Sequence, residues 1–165
     1  MDRTQIRWGT DHDSEAACSI WRESCAWLES IGQPLWRPEQ FADGAVQAIL
    51  DSGRLVVGLS EDHVVACMMT ADVDPEIWPE TPAGIALYVH KLAVLRSSAG
   101  QNWSRAMLDW ASAAAKAARL QAVRLDCAPR PPLLRLYTEC GFAVVDEGAI
   151  QIGGFLIVRL ERLVL

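Results

Sequence analysis

No stretch of this 165-residue chain approaches the roughly 20 consecutive apolar residues that a membrane-spanning helix requires. Basic residues are not in excess: 15 Lys and Arg stand against 21 Asp and Glu, for a net charge of −6. That excludes a general nucleic-acid binder, whose phosphate contacts need a basic surface, and it suits a cationic substrate. The five cysteines, Cys18, Cys25, Cys67, Cys127 and Cys140, are odd in number and contain no CxxC pair. A disulfide framework and a zinc site are therefore not expected; buried free thiols in a reducing compartment are. The opening MDRTQIRWGTDHDSE has no apolar core of a secretory signal, so the expected location is the cytoplasm. No repeat, low-complexity tract or linker interrupts the chain, and the expectation is one domain over residues 1–165. Apolar residues at 51% and charged residues at 22% are ordinary for a globular protein.

What is present alternates between strand and helix patterns. QIRWG reads as a first strand. DSEAACSIWRESCAWLESIG reads as an amphipathic helix with Ala17, Ile20, Trp21, Cys25 and Leu28 on its apolar face. PEQFADGAVQAILDSG reads as a second helix, with Pro38 at its start and Gly53 past its end. RLVVGLSEDHVVACMMTAD predicts a hairpin turning at Glu61–Asp62. DPEIWPETP is a loop, and IALYVHKLAVL predicts a strand buried on both faces. Trp103 to Arg119 predicts a helix with a stripe through Met107, Trp110, Ala111 and Ala114. QAVRLDCA is the next strand, PPLLRLYTECG a short helix ending at Gly141, and FAVVDEG and GFLIVRLERLV two closing strands. Hairpins mixed with strand–helix–strand crossovers predict an α/β fold: a mixed sheet with helices on both faces.

LAVLRSSAGQNWSRAML raises a specific possibility. A loop entering a helix directs several backbone N–H groups, and the positive end of the helix dipole, at one spot, which suits phosphate. Only Gly100 supplies glycine there, although Asn102 tolerates left-handed backbone better than other side chains do. An ordinary strand-to-helix connection is the alternative.

The element order, this loop, and LYTECGF, in which Tyr137 stands four residues before Gly141–Phe142, resemble the GCN5-related N-acetyltransferase (GNAT) superfamily over essentially the whole chain. AWLESIGQPLW and DPEIWPE also look like a group of small bacterial acetyltransferases. The resemblance implies the GNAT fold, a central mixed and mostly antiparallel sheet flanked by helices, and acetyl-coenzyme A as co-substrate. The family's loop pattern Q/R-x-x-G-x-G/A falls here on Ala99, Gly100, Gln101, Asn102, Trp103 and Ser104. Ala99 replaces the Q/R position and Asn102 the first of the paired glycines. By the same resemblance Leu92 and Val94 would offer main-chain contacts to the pantetheine arm. Arg130 stands where the family often has asparagine, so the ribose and adenine side would be handled differently; Arg130 would pair with a phosphate or simply be exposed.

Acyl transfer to an amine needs the amine deprotonated, the thioester carbonyl polarised and the departing thiolate protonated. None of these steps requires a cysteine. The resemblance makes Tyr137 the acid. His90 is the candidate base, since histidine exchanges protons near neutral pH; Tyr88 and Leu92 share its face at a period of two. A histidine satisfied by structural hydrogen bonds is the alternative. Asp72, Asp74, Glu76 and Glu80 could hold a cationic amine or form a solvated loop. Trp36 and Trp78 could wall the acceptor through cation–π contact or simply pack. Two functions stay open: an N-acetyltransferase acting on the primary amine of a small molecule by direct attack in a ternary complex, or a degenerate member that binds acyl-coenzyme A, or another small ligand, without acetyl transfer or that runs another reaction. The family also pairs C-terminal strands into homodimers, and FLIVRLERLVL is apolar enough to do so.

Overall fold

The computed structural model describes residues 4–42 and 44–164. Eight strands and four α-helices follow one another: β1 (Thr4–Trp8), α1 (Ser14–Ser30), α2 (Val46–Asp51), β2 (Arg54–Ser60), β3 (His63–Ala71), β4 (Ala86–Val94), α3 (Trp103–Ala117), β5 (Ala122–Cys127), α4 (Pro131–Glu139), β6 (Ala143–Val144), β7 (Ile150–Ile152) and β8 (Phe155–Leu163). The strand order is β1-β2-β3-β4-β5-β8-β6, with β7 paired to β8. The β4–β5 pair is parallel, while β1–β2, β2–β3, β5–β8, β6–β8 and β7–β8 are antiparallel. This is the expected α/β class, a mixed and mostly antiparallel sheet flanked by helices. Among the described residues no helix is long and apolar enough to cross a membrane. The chain forms two compact units, one running to Thr70 and taking in Lys91–Met107, the other made of Ala71–His90 and the described residues from Leu108 on. Strand β4 and helix α3 contribute to both.

In the first unit β2 and β3 join at Glu61 and Asp62, whose φ values of 47° and 68° give the paired left-handed residues that a tight hairpin favours. The apolar stripe of α1 is buried as predicted through Ala17, Ile20, Trp21 and Cys25, while Leu28 is half-buried. The predicted second helix is broken. Pro38–Phe41 forms a 3₁₀ turn, Ala42 is extended and Gly44 has φ +87°, so α2 begins only at Val46; Asp43 lies outside the described residues. Phe41, 1% exposed, stacks on Trp21, an aromatic contact that helical periodicity does not show.

Two predictions arise here. Asp13 is buried and receives Arg7 Nη1 and Nη2 at 2.8 and 3.1 Å, with Thr10 N–H and O–H at 2.8 and 3.0 Å. Arg7, and then Thr10, hold its carboxyl down at about 2 against desolvation. The folded value is depressed, so the stabilisation is complete above the unfolded carboxyl's value near 4 and is lost as pH falls towards 2. Because the Arg7 side chain is 35% exposed, screening trims the gain to about 1–2 kcal/mol. Asp13→Asn is expected to flatten the loss of stability between about pH 4 and pH 2 in urea titrations. Gly58 is the second case. A Cβ there would stand 2.9 Å from Trp103 Cζ3 and 3.0 Å from Cε3. Gly58→Ala should therefore cost about 1–3 kcal/mol through overpacking, read as a lower denaturation midpoint.

In the second unit β4 and β5 pair over three positions, ending at Tyr88 opposite Arg124. The closing strands depart from expectation. FAVVDEG keeps only Ala143–Val144, and an unanticipated β7 forms a hairpin with β8 across Gly153–Gly154. Arg159 on β8 binds Asp146 at 2.8 and 2.7 Å and Glu80 at 2.8 Å, tying down the segment between β6 and β7. The buried stripe of α3 runs through Met107, Leu108, Ala111 and Ala115, with Trp110 and Ala114 half-buried at its edge.

Candidate active site

The loop into α3 belongs to the first unit. Arg96–Ser98 makes a 3₁₀ turn, Ala99 is extended, and Gly100 and Asn102 adopt φ of 79° and 62°. Asn102 thus holds the left-handed backbone that a glycine would take most easily. Its carbonyl accepts the Ala106 N–H at 3.0 Å, the first α-type bond here. The N–H groups of Trp103 and Ser104, in the first turn, have no acceptor within the helix. Ala99, Gly100, Gln101 and Asn102 are exposed and Ser104 is half-buried. The Trp103 ring is buried beside Gly58, which leaves its backbone N–H as its contribution to the loop. Upstream, Leu92 and Val94 are half-buried. Between His90 and Leu92, Lys91 has φ 52°, which interrupts the two-residue alternation expected along this strand. The Trp21 indole donates to the Lys91 carbonyl at 2.7 Å, and Ala93, 5% exposed, joins the buried cluster around Trp21. Trp36 is also in this unit, half-buried and edge-on to Phe41 at 5.7 Å, while its carbonyl accepts the Cys25 thiol at 3.3 Å.

The second unit gathers the remaining candidates. Trp78 is 2% exposed, 6.2 Å from the Tyr88 ring, with the guanidiniums of Arg124 and Arg159 at 4.5 and 4.6 Å from its centroid. It is a packed core residue engaged by cations of the chain itself. Tyr88 is 1% exposed. Glu76 is exposed, lying 3.9 Å from where a Gly153 Cβ would stand. Asp72 is exposed and Glu80 binds Arg159.

His90 does not stand alone. Its Nε2 lies 3.8 Å from Asp74 Oδ2, and an Asp126 carboxylate oxygen joins them within a 4.8 Å span. Asp126 went unrecognised in the sequence, although the pattern carried a signal: it stands two residues past Arg124, as His90 stands two past Tyr88, on the parallel strand.

Tyr137 is half-buried on α4, edge-on to Phe142 at 6.2 Å. Burial, then the neighbouring Cys127 and Asp126, push its phenol well above 10, so it is protonated at any working pH. Its spacing to Gly141–Phe142 has a structural cause. Phe142 N–H reaches the Tyr137 carbonyl at 3.0 Å, Gly141 N–H reaches that of Thr138 at 3.0 Å, and Gly141 has φ 85°. This is the Schellman helix end, with its usual apolar contact made by the two rings. Arg130 caps the start of α4 before Pro131, its carbonyl accepting the Leu133 and Leu134 N–H groups at 3.0 Å each, and is half-buried. All five cysteines are buried and free of disulfides. Burial pushes the Cys127 thiol up to about 12 and raises Cys18, Cys25 and Cys67 too, which leaves them poor nucleophiles.

Residues 13–142 match the family model described as the Acetyltransferase (GNAT) family. The chain is 24% identical over 146 residues to an uncharacterised N-acetyltransferase, YesJ, of Bacillus subtilis (strain 168), covering 83% of this chain and 80% of that one. Among solved structures, a GNAT-family acetyltransferase from Listeria monocytogenes 4b F2365 superposes with a TM-score of 0.73 at 19% identity, covering 96% of this chain and 94% of that one. The yncA protein of Salmonella typhimurium, solved with its cofactor acetyl-CoA, superposes at 0.71 and 14% identity, covering 99% and 95%.

Proposed function

The chain belongs to the GNAT acetyltransferase family, and from that membership we propose that it is an acetyl-coenzyme A-dependent N-acetyltransferase acting on the primary amine of a small molecule by direct attack in a ternary complex. The observation that carries this reading is the pair of left-handed residues, Gly100 and Asn102, in the exposed loop that feeds α3. The donor set fits a pyrophosphate. Among the described residues, apart from its two chain neighbours, nothing lies within 4 Å of where a Gly100 Cβ would stand, so backbone approach is open, and the first-turn N–H groups of a 15-residue helix lie beside it. Gly100, Gln101, Asn102, Trp103 and Ser104 would hold the phosphates, the main chain of Leu92 and Val94 the pantetheine arm, and Arg130 the nucleotide side. When bound, the coenzyme supplies an acetyl carbonyl activated as a thioester; the C–N bond forms as the C–S bond breaks. His90 takes a proton from the amine, and Tyr137 gives one to the sulfur. Trp36, Trp78, Tyr88 and Glu76 would then shape the acceptor side, the buried Trp78 and Tyr88 by packing. The acid excess and free cysteines support a cytoplasmic enzyme, the similarity to the YesJ protein of Bacillus subtilis supports a bacterial one, and the exposed Phe155 and Leu156 on the C-terminal hairpin favour a homodimer.

Titration with acetyl-coenzyme A, followed by tryptophan fluorescence and calorimetry, tests the loop. Micromolar binding is expected. Asn102→Gly should tighten it by about threefold to tenfold, because glycine keeps the left-handed turn and removes the side chain that would stand where the phosphates lie. Weaker binding would show that the Asn102 side chain makes its own contact, and no binding at millimolar coenzyme would refute the acetyltransferase reading.

A further inference from the structure

Buried polar atoms are hydrogen-bonded as a rule, and an orphan calls for a partner. Asp74 Oδ2 is such an orphan: the side chain is 9% exposed and this oxygen has no hydrogen-bond partner. The other oxygen is committed, accepting the Ile77 N–H at 3.2 Å, which fixes the carboxylate in place. Oδ2 faces His90 Nε2 at 3.8 Å, too far for a direct hydrogen bond. The Asp126 oxygen completes a triangle whose atoms all lie within 4.8 Å of one another.

On the acetyltransferase reading, we propose that Asp74, His90 and Asp126 form the acceptor's ammonium pocket, which takes a primary alkylammonium ion by one N–H to each residue. Its three donors match three acceptors: Asp74 Oδ2, the unprotonated Nε2 of a neutral His90, and an Asp126 oxygen. Hydrogen-bond arms of about 2.8 Å span the 3.8 Å Asp74–His90 separation at about 85°, and the 4.8 Å limit on the other separations admits angles up to about 118°, a range that includes the tetrahedral angle of an ammonium nitrogen. Two carboxylates also suit a cation, and one of them stays beside His90 after the proton moves. The proton passes from R–NH3+ to Nε2, the bonding pair remains on nitrogen as the attacking lone pair, and the imidazolium is left facing Asp74.

The test uses no coenzyme. The imidazole resonances of His90, assigned with His90→Gln, are followed by NMR during titration with n-butylammonium chloride. The resonances should move saturably. n-Butyltrimethylammonium chloride, which has no N–H, should leave them unmoved. Asp74→Asn keeps the Oδ1 acceptor and the side-chain shape, and should weaken n-butylammonium binding at least about tenfold; Asp126→Asn should do the same. No movement up to about 100 mM n-butylammonium, an equal response to both ions, or unchanged binding in both variants would overturn the pocket. So would micromolar zinc chloride binding that displaces n-butylammonium, which would make the triangle a metal centre. Butylammonium binding without any acetyl-coenzyme A binding would refute the acetyltransferase reading while leaving the pocket standing.

Discussion

Tyr137→Phe is expected to lower the rate of coenzyme thiol release by about 10²–10⁴-fold, the usual contribution of a positioned general acid, with little change in acetyl-coenzyme A affinity. The substitution is mild for the fold. The phenylalanine ring keeps the edge-on contact with Phe142 at 6.2 Å, and the helix end is held by backbone bonds that the change does not touch. What disappears is one O–H whose proton is held firmly by burial and by the nearby Cys127 and Asp126. Rate is read by a thiol reagent at saturating coenzyme, affinity by calorimetry, and folding by melting temperature. A rate equal to that of the parent protein would remove Tyr137 from the mechanism. Its spacing to Gly141 and Phe142 would then be explained by helix capping alone.

Trp21→Ala should cost about 3–5 kcal/mol of stability, a large part of the roughly 5–15 kcal/mol that holds a domain folded. Trp21 is fully buried, stacks on Phe41 at 6.0 Å and 26°, and donates its indole N–H to the Lys91 carbonyl at 2.7 Å. That bond fixes the carbonyl of the one left-handed residue in β4, a conformation that persists only where its surroundings impose it. Trp21→Phe separates the two roles. It keeps most of the aromatic packing and removes the donor, for an expected loss of about 1–3 kcal/mol. Urea denaturation midpoints at unchanged slope measure both. Equal losses in the two variants would mean that the hydrogen bond carries the effect, and a neutral Trp21→Phe would mean that packing carries it.

The elements with strong patterns were legible in the chain itself. The α1 stripe through Ala17, Ile20, Trp21 and Cys25, the Glu61–Asp62 hairpin, the parallel β4–α3–β5 crossover and the Gly141 stop are local consequences of side-chain period and turn chemistry. The break in the second predicted helix was not legible, because Phe41 leaves the helical path to reach Trp21, a partner twenty residues earlier. β7 was not legible either, because a three-residue strand beside Gly153–Gly154 has too few side chains to show alternation.

The same division runs through the candidate site. The length of its apolar runs by itself argued against a membrane-spanning helix, and its net charge against a general nucleic-acid binder. The local pattern by itself marked Gly100 and Asn102 at a helix entry and His90 for its proton chemistry, whereas Tyr137 stood out through the family resemblance. Only the tertiary structure decided that Trp78 is core rather than an open wall, that Lys91 interrupts β4, and that Asp74 and Asp126 stand around His90. Those facts depend on strand register and loop closure between residues up to 52 positions apart (Asp74 and Asp126), which the periodicity of any one segment does not encode.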